Sequence, residues 1–128
     1  MNQTILLLDD DVPLRDMMEM ILKKKGYEVI AVSRGDQALS LVEKLDFDLM
    51  IIDGLLPDTT GFDFISQLRH SGNTTPTIML TGHSFFWEDK MTKNILTNGM
   101  GVKVLSKPIG SEALLNSVTE MILLKISS

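Results

Sequence analysis

The side chains that could do chemistry share one position, since each stands at the C-terminal end of a short apolar run typical of a buried strand. They are Asp9 and Asp10 after residues 5–8, Asp53 after residues 49–52, Thr81 after residues 77–80 and Lys107 after residues 102–105. If these strands are parallel, their ends meet at one rim, where open α/β sheets bind their ligands. That rim would hold carboxylates, a hydroxyl and an ammonium group.

Crowded carboxylates predict either a raised pKa or a bound cation. Two like charges about 4 Å apart repel by about 4 kcal/mol at an effective dielectric constant of about 20. Oxygen ligands with water in the remaining positions suit Mg²⁺ best. A metal, the ammonium of Lys107 and the hydroxyl of Thr81 would together match the oxygens of a transferring phosphoryl group. A carboxylate can itself be the nucleophile, which gives an aspartyl phosphate.

Taken singly, each of these residues has a plainer interpretation. An acid at a strand end is usually a turn residue or a helix cap, and this applies to Asp53 and to residues 9–11. Thr81 alone would be an ordinary loop hydroxyl, and a Lys-Pro pair alone carries little information. The joint pattern at four strand ends is what favours a phosphoryl site.

The elements that must position these groups follow from the hydrophobic periodicity. Strand-like runs alternate with amphipathic stretches, which predicts a parallel sheet with helices on both faces. The first helix should begin at residues 11–13, with an acid near the cap and a proline in the first turn, and should end at Gly26. The segment 82–101 is the least regular, and its weak helical pattern is carried by Met91, Ile95 and Leu96.

Composition predicts one globular domain over residues 1–128, with 44% apolar and 23% charged residues. The net charge is −5 and the longest basic run is Lys23–Lys25, so we expect no direct nucleic-acid binding. The absence of cysteine excludes disulfide and thiolate chemistry and fits a reducing cytoplasm. The N-terminus resembles neither a signal peptide nor a membrane span, so we expect a cytoplasmic location without membrane contact.

This arrangement resembles the receiver domain of bacterial two-component response regulators over nearly the whole chain. The residues that carry the resemblance are, in chain order, Asp9, Asp10, Asp53, Pro57, Gly61, Thr81, Lys107 and Pro108. The resemblance implies a flavodoxin-like, doubly wound α/β fold. Its sheet would have five parallel strands in the order 2-1-3-4-5, flanked by five helices.

The same resemblance implies the chemistry of the site. Asp53 would accept a phosphoryl group from a sensor histidine kinase or a histidine phosphotransfer protein, while Thr81 and Lys107 would contact that group. The Mg²⁺ ligands would be Asp10, Asp53 and the backbone carbonyl of Leu55, with Asp9 acting through water. Such a domain catalyses its own phosphorylation and dephosphorylation without turning over a separate substrate. It switches a downstream protein or a covalently linked output domain.

Two features depart from the family pattern. Val104 stands where family members often carry a Tyr or Phe whose rotation reports phosphorylation, and the segment between Thr81 and Lys107 is a few residues longer than usual. This segment carries the aromatic residues 85–87, which pack onto the sheet edge, replace the missing ring or form a partner surface. Both departures concern the output mechanism and leave the phosphoacceptor chemistry intact.

Three alternatives come from other functional classes. A pseudo-receiver would act as a protein–protein adaptor without phosphate, which the intact acids oppose and Val104 leaves open. A Mg²⁺-dependent phosphatase with an aspartyl nucleophile would need an acid two residues after Asp53, where Leu55 stands. A flavin-binding domain would need a phosphate cradle after the first strand, where this chain is acidic.

Overall fold

The computed structural model describes residues 2–82 and 101–127, and this part of the chain forms a five-stranded parallel sheet flanked by helices. The strands are β1 (Thr4–Leu8), β2 (Glu28–Val32), β3 (Leu49–Asp53), β4 (Thr77–Thr81) and β5 (Val102–Ser106). The helices are α1 (Val12–Lys24), α2 (Gly35–Lys44), α3 (Gly61–His70) and α4 (Ser111–Ser127). The spatial strand order is β2-β1-β3-β4-β5, and every neighbouring pair is parallel.

The predicted fold class and strand order are confirmed. Within the described residues there are four helices, not the five that were predicted. The remaining predicted helix, through Met91, Ile95 and Leu96, falls in the segment 83–100, which lies outside the described residues, and so does the aromatic stretch 85–87. Among the residues that the structure describes, no helix combines the length and the apolar character needed to cross a membrane.

The sheet separates two apolar layers, because alternate side chains of each strand point to opposite faces. One layer packs against α1 and α4 and includes Ile5, Leu7, Leu49 and Ile51. The other packs against α2 and α3 and includes Leu6, Leu8, Met50 and Ile52. All eight side chains are at most 1% exposed. Burial on both faces explains why these strands read as continuous apolar runs without polar alternation.

The helices that follow β1 and β3 begin directly behind the rim, with side-chain caps at their first turns. Asp11 caps α1 by accepting a hydrogen bond from the N–H of Leu14 at 3.2 Å, and Thr60 caps α3 by accepting one from Asp63 at 3.0 Å. As predicted, α1 ends before Gly26, which has a φ of 97°. These caps fix where the chain leaves each strand end.

Gly61 lets α3 start against the end of β3. A Cβ atom at this position would lie 2.6 Å from the carbonyl oxygen of Asp53 and 3.0 Å from the Sδ atom of Met79. The N–H of Gly61 also donates to the carbonyl of Gly54 at 2.9 Å. The residue is therefore needed for close approach of two backbones.

We expect Gly61→Ala to lower the free energy of unfolding by about 1–3 kcal/mol, because the added methyl group must displace the backbone of Asp53. Urea unfolding measures this directly. Gly110→Ala is the matched control, since a Cβ atom there would meet nothing within 4 Å. A loss at Gly61 no larger than that of the control would contradict the close packing.

Candidate functional site

The C-terminal ends of adjacent strands form one rim of the sheet. The parallel registers pair Leu8 of β1 with Ile52 of β3, and Thr81 of β4 with Ser106 of β5, so the residues that follow are neighbours in space. The predicted site residues brought together at this rim are Asp9, Asp10, Asp53, Thr81 and Lys107. Polar groups that are up to 98 residues apart in the chain are thus collected by the strand order.

Lys107 bridges two of the carboxylates. Its Nζ atom lies 3.2 Å from Oδ2 of Asp9 and 3.2 Å from Oδ2 of Asp53. Its backbone N–H donates to the carbonyl of Thr81 at 2.8 Å, and the Lys107–Pro108 peptide bond is cis. The lysine follows β5, so its side chain reaches past the end of β4 to β3 and β1.

Asp9 is the most deeply buried of the three rim acids, with 1% of its surface exposed. Its Oδ1 atom accepts a hydrogen bond from the N–H of Asp11 at 2.9 Å, and its backbone carbonyl accepts one from the guanidinium of Arg15 at 3.3 Å. Within residues 2–82 and 101–127, Oδ2 has the ion pair with Lys107 but no contact with hydrogen-bonding geometry. A buried carboxylate oxygen with an unused acceptor position is suited to a further donor, such as a water molecule.

The loop of residues 54–60 contacts the side chain of Asp53 through a backbone N–H group. The N–H of Leu55 donates to Oδ1 of Asp53 at 3.4 Å, and Leu55 forms an antiparallel bridge with Thr60. The hydrogen bonds that flank this bridge run from Gly61 to Gly54 at 2.9 Å and from Leu56 to Thr59 at 3.0 Å. Leu55 therefore occupies a non-hydrogen-bonded position of the pair, and its carbonyl is not used in the loop's ladder.

Thr81 lies against the start of the same loop and is 2% exposed. A Cβ atom at Gly54 would lie only 3.2 Å from Oγ1 of Thr81, and the N–H of Gly54 donates to the carbonyl of Leu80 at 2.7 Å. The missing side chain at Gly54 therefore lets the residue after Asp53 sit directly beside the threonine hydroxyl.

Burial opposes the ionisation of Asp53. Desolvation, followed by repulsion from Asp9, raises the pKa of Asp53 to about 6, although Lys107 and the N–H of Leu55 act in the other direction. For Lys107, burial acts to lower the pKa, but the attraction of the two carboxylates outweighs it, so the pKa of the ammonium is raised. At neutral pH the site thus keeps a charged ammonium beside a carboxylate whose charge is poorly solvated.

The sequence profile of the response regulator receiver domain matches residues 5–119, a range that contains every predicted site residue. The chain belongs to the receiver domain family. Its fold and the convergence of acids, hydroxyl and ammonium at one rim agree with that membership.

This receiver domain is similar to response regulators whose names indicate different roles, DNA binding and chemotaxis. The DNA-binding response regulator MtrA of Mycobacterium tuberculosis is 37% identical over 81 residues, which cover 63% of this chain and 35% of MtrA. The chemotaxis response regulator CheY4 of Vibrio cholerae has a TM-score of 0.82 at 30% identity, with 94% of this chain and 99% of CheY4 covered.

A third similar protein is the receiver domain of a sensor histidine kinase from Pseudomonas aeruginosa PAO1, solved with a magnesium ion coordinated in its active site cleft. It has a TM-score of 0.79 at 28% identity, with 95% of this chain and 98% of that chain covered. The present chain spans about a third of the length of the curated relatives it matches.

The acidic cluster of this receiver domain fits a hard divalent cation. Carboxylate oxygens of Asp9, Asp10 and Asp53 all lie within 4.8 Å of one another, and Asp10 is exposed whereas the other two are buried. Mg²⁺ prefers six oxygen ligands and usually keeps several waters. An exposed acid, the acceptor position on Oδ2 of Asp9 and the carbonyl of Leu55, which lies outside the loop's hydrogen-bond ladder, match that donor set.

Three hydrogen bonds at the rim and in the loop beside it were not predicted from the sequence. Arg15 donates to the carbonyl of Asp9, and Asp58 accepts hydrogen bonds from the N–H groups of Gly35 and Asp36 at 2.9 Å each. Asp58 follows a proline in a loop, where an acid is an ordinary turn residue, and its partners are more than 20 residues away. No local pattern in the sequence signals such a contact.

We expect Asp53→Asn to stabilise the metal-free protein at pH 8. Because the folded-state pKa of about 6 exceeds the ordinary value of about 3.9, the folded protein binds this proton more tightly than the unfolded chain does. The stabilisation of the folded state by this proton is therefore complete below about pH 4 and is lost as the pH rises through about 6. The free energy of unfolding of the variant should exceed that of the wild type by about 1–2 kcal/mol at pH 8 and by much less at pH 4.

Urea unfolding in the presence of a chelator, at both pH values, measures this difference. Asp46→Asn makes the same chemical change at an exposed acid ahead of β3 and is the matched control. An Asp53→Asn variant that loses stability at pH 8 would contradict the assigned cost of the buried charge.

Proposed function

We propose that this receiver domain is the phosphoacceptor of a two-component phosphorelay, with Asp53 taking a phosphoryl group from a sensor histidine kinase or a histidine phosphotransfer protein. The observation that carries the proposal is the ammonium of Lys107, which lies 3.2 Å from carboxylate oxygens of both Asp9 and Asp53. A nucleophilic carboxylate, a fixed positive charge and a threonine hydroxyl at one strand-end rim are the groups that phosphoryl transfer to an acid requires.

In the proposed reaction an oxygen of Asp53 forms a bond to phosphorus while the bond from phosphorus to the donor's imidazole nitrogen breaks. The electron pair of that bond leaves with the imidazole, which takes up a proton. Asp53 reacts as the carboxylate, the form that dominates above a pH of about 6. The ammonium of Lys107 and the hydroxyl of Thr81 would contact the phosphoryl oxygens and offset their negative charge.

Mg²⁺ is the cofactor that we expect, on the strength of the acidic cluster and the likeness to a magnesium-bound receiver domain. Asp10, Asp53 and the carbonyl of Leu55 would hold it directly. As the family resemblance implies, Asp9 would act through water, and its buried Oδ2 atom has an acceptor position suited to a water molecule. When bound, such a cation neutralises charge on both the carboxylates and the phosphoryl oxygens.

The proposed domain turns over no separate substrate and works in the cytoplasm as a switch for a downstream protein or a covalently linked output domain. The alternative is a pseudo-receiver that acts as an adaptor without phosphate. The bridging contacts of Lys107 favour the phosphoacceptor, because an adaptor has no need for buried like charges.

Intact-mass measurement after incubation with phosphoramidate and Mg²⁺ tests the proposal. We expect the wild type to gain one phosphoryl group, Asp53→Asn to gain none, and the control Asp46→Asn to behave as the wild type. Labelling that survives Asp53→Asn would refute the phosphoacceptor assignment. A wild type that stays unlabelled would favour the adaptor.

The metal assignment predicts that Asp10→Ala weakens Mg²⁺ binding more than Asp9→Ala does. We expect at least about a tenfold loss of affinity for Asp10→Ala, since a direct ligand is removed, and a smaller loss for Asp9→Ala. Titration calorimetry measures both, with circular dichroism as the check that each variant is folded. Equal losses would count against the distinction between a direct and a water-mediated role.

A further inference from the structure

We propose that Asp58 is a positioning residue for the metal site, because it ties the tip of the loop 54–60 to the start of α2 and thereby holds the peptide of Leu55 in place. This inference rests on the proposed function, in which the carbonyl of Leu55 is a metal ligand. Asp58 lies at the loop tip, and its carboxylate hydrogen-bonds to the start of α2, away from the rim carboxylates.

Both carboxylate oxygens of Asp58 accept hydrogen bonds from α2. Oδ1 of Asp58 accepts a hydrogen bond from the N–H of Gly35 at 2.9 Å, and Oδ2 accepts one from the N–H of Asp36 at 2.9 Å. These N–H groups belong to the first turn of α2, where the helix cannot satisfy them internally and where negative charge is favourable. The residue at the N-cap position is Arg34, whose side chain has no oxygen to offer.

The loop is therefore anchored at two places. Its base is joined to β4 by the hydrogen bond of Gly54 with Leu80 and to the start of α3 by that of Gly54 with Gly61, and its tip is joined to α2 by Asp58. The peptide of Leu55 lies between these anchors, with its N–H donating to Asp53. A shift of the tip relative to α2 would consequently move the Leu55 carbonyl relative to the carboxylate of Asp53.

Gly35 shows how closely α2 and the loop fit. A Cβ atom at this position would lie 2.7 Å from Cγ2 of Thr59 and 3.4 Å from both carboxylate oxygens of Asp58. Its φ is not in the left-handed region, so backbone strain gives no reason for glycine here. Intrinsic helix propensity favours alanine over glycine, and any harm from Gly35→Ala must therefore come from the contact with the loop.

The position of α2 and the metal affinity are then coupled. A perturbation that separates the loop tip from α2 lowers Mg²⁺ affinity, and by reciprocity bound Mg²⁺ favours the docked loop. The interaction involves residues 34–36 and 58–59, including an ion pair of 4.0 Å between the guanidinium of Arg34 and Oδ2 of Asp58. It can therefore be altered without touching any residue placed at the rim.

Calorimetric Mg²⁺ titration of four variants of the full chain tests the proposal, with urea unfolding measured in parallel. We expect Asp58→Ala and Gly35→Ala to lose about three- to tenfold in Mg²⁺ affinity, less than the roughly 10- to 100-fold that follows loss of a direct support of a ligand. The double variant Gly35→Ala/Thr59→Ser should regain wild-type affinity, because serine lacks the methyl group that the new Cβ atom would meet.

Asp48→Ala is the matched control. It removes the same charge and the same kind of contact, a carboxylate accepting the N–H of Thr4 at 2.8 Å, at the N-terminal ends of β1 and β3, opposite the rim. It should lower the free energy of unfolding and leave Mg²⁺ affinity unchanged, which separates positioning from general stability and from net charge. Gly35→Ala keeps the charge of the chain and carries the test if Asp58→Ala fails to fold.

A wild type that binds no Mg²⁺ would overturn the proposed metal site itself. A wild type that binds Mg²⁺, together with Asp58→Ala and Gly35→Ala variants of unchanged affinity, would overturn the positioning role alone. A loss at Gly35→Ala that Thr59→Ser does not repair would equally overturn it, since the effect would not pass through the loop contact.

Discussion

Crowding of carboxylates at one edge of the sheet is the constraint on which the rest of this structure depends. Asp9 and Asp53 are both nearly inaccessible to water, and their mutual repulsion would be costly without compensation. The Nζ atom of Lys107 lies 3.2 Å from a carboxylate oxygen of each, and backbone N–H groups donate hydrogen bonds to the other carboxylate oxygens. Within the described residues, Oδ2 of Asp9 receives no hydrogen bond, so the negative charge of the cluster is not fully compensated by the protein and suits a bound cation.

The fold fixes the positions of the carboxylates and of Lys107 through buried strands and close backbone contacts. Strands buried on both faces fix where each polar group emerges, and the strand order brings the ends of β1, β3, β4 and β5 to one rim. Gly54 and Gly61 then allow the loop and α3 to lie directly against the strand ends. The site is therefore positioned by backbone contacts as much as by side chains.

Most of the fold and the composition of the site could be predicted from the sequence, because both depend on local patterns. Apolar runs ending in polar residues indicated the strands and the rim, and capping residues indicated where α1 begins. The pattern was less informative where a contact joins distant segments, as between Asp58 and Gly35 or between Arg15 and Asp9. The spacing of Leu14, Met17, Met18, Ile21 and Leu22 in the sequence predicts one apolar face of α1. Met17 is nevertheless 41% exposed, because the fully buried stripe is narrow and consists of Met18 and Leu22.

The central claim is that Asp53 carries a charge that the protein solvates poorly and that a cation at this rim stabilises. Carbon-13 NMR of the Asp53 carboxyl group, followed as a function of pH with and without Mg²⁺, tests it most directly. The account predicts a midpoint near the pKa of about 6 in the metal-free protein and a clear fall of that midpoint at saturating Mg²⁺. A midpoint near the ordinary value of about 3.9 in the metal-free protein, unchanged by Mg²⁺, would contradict it.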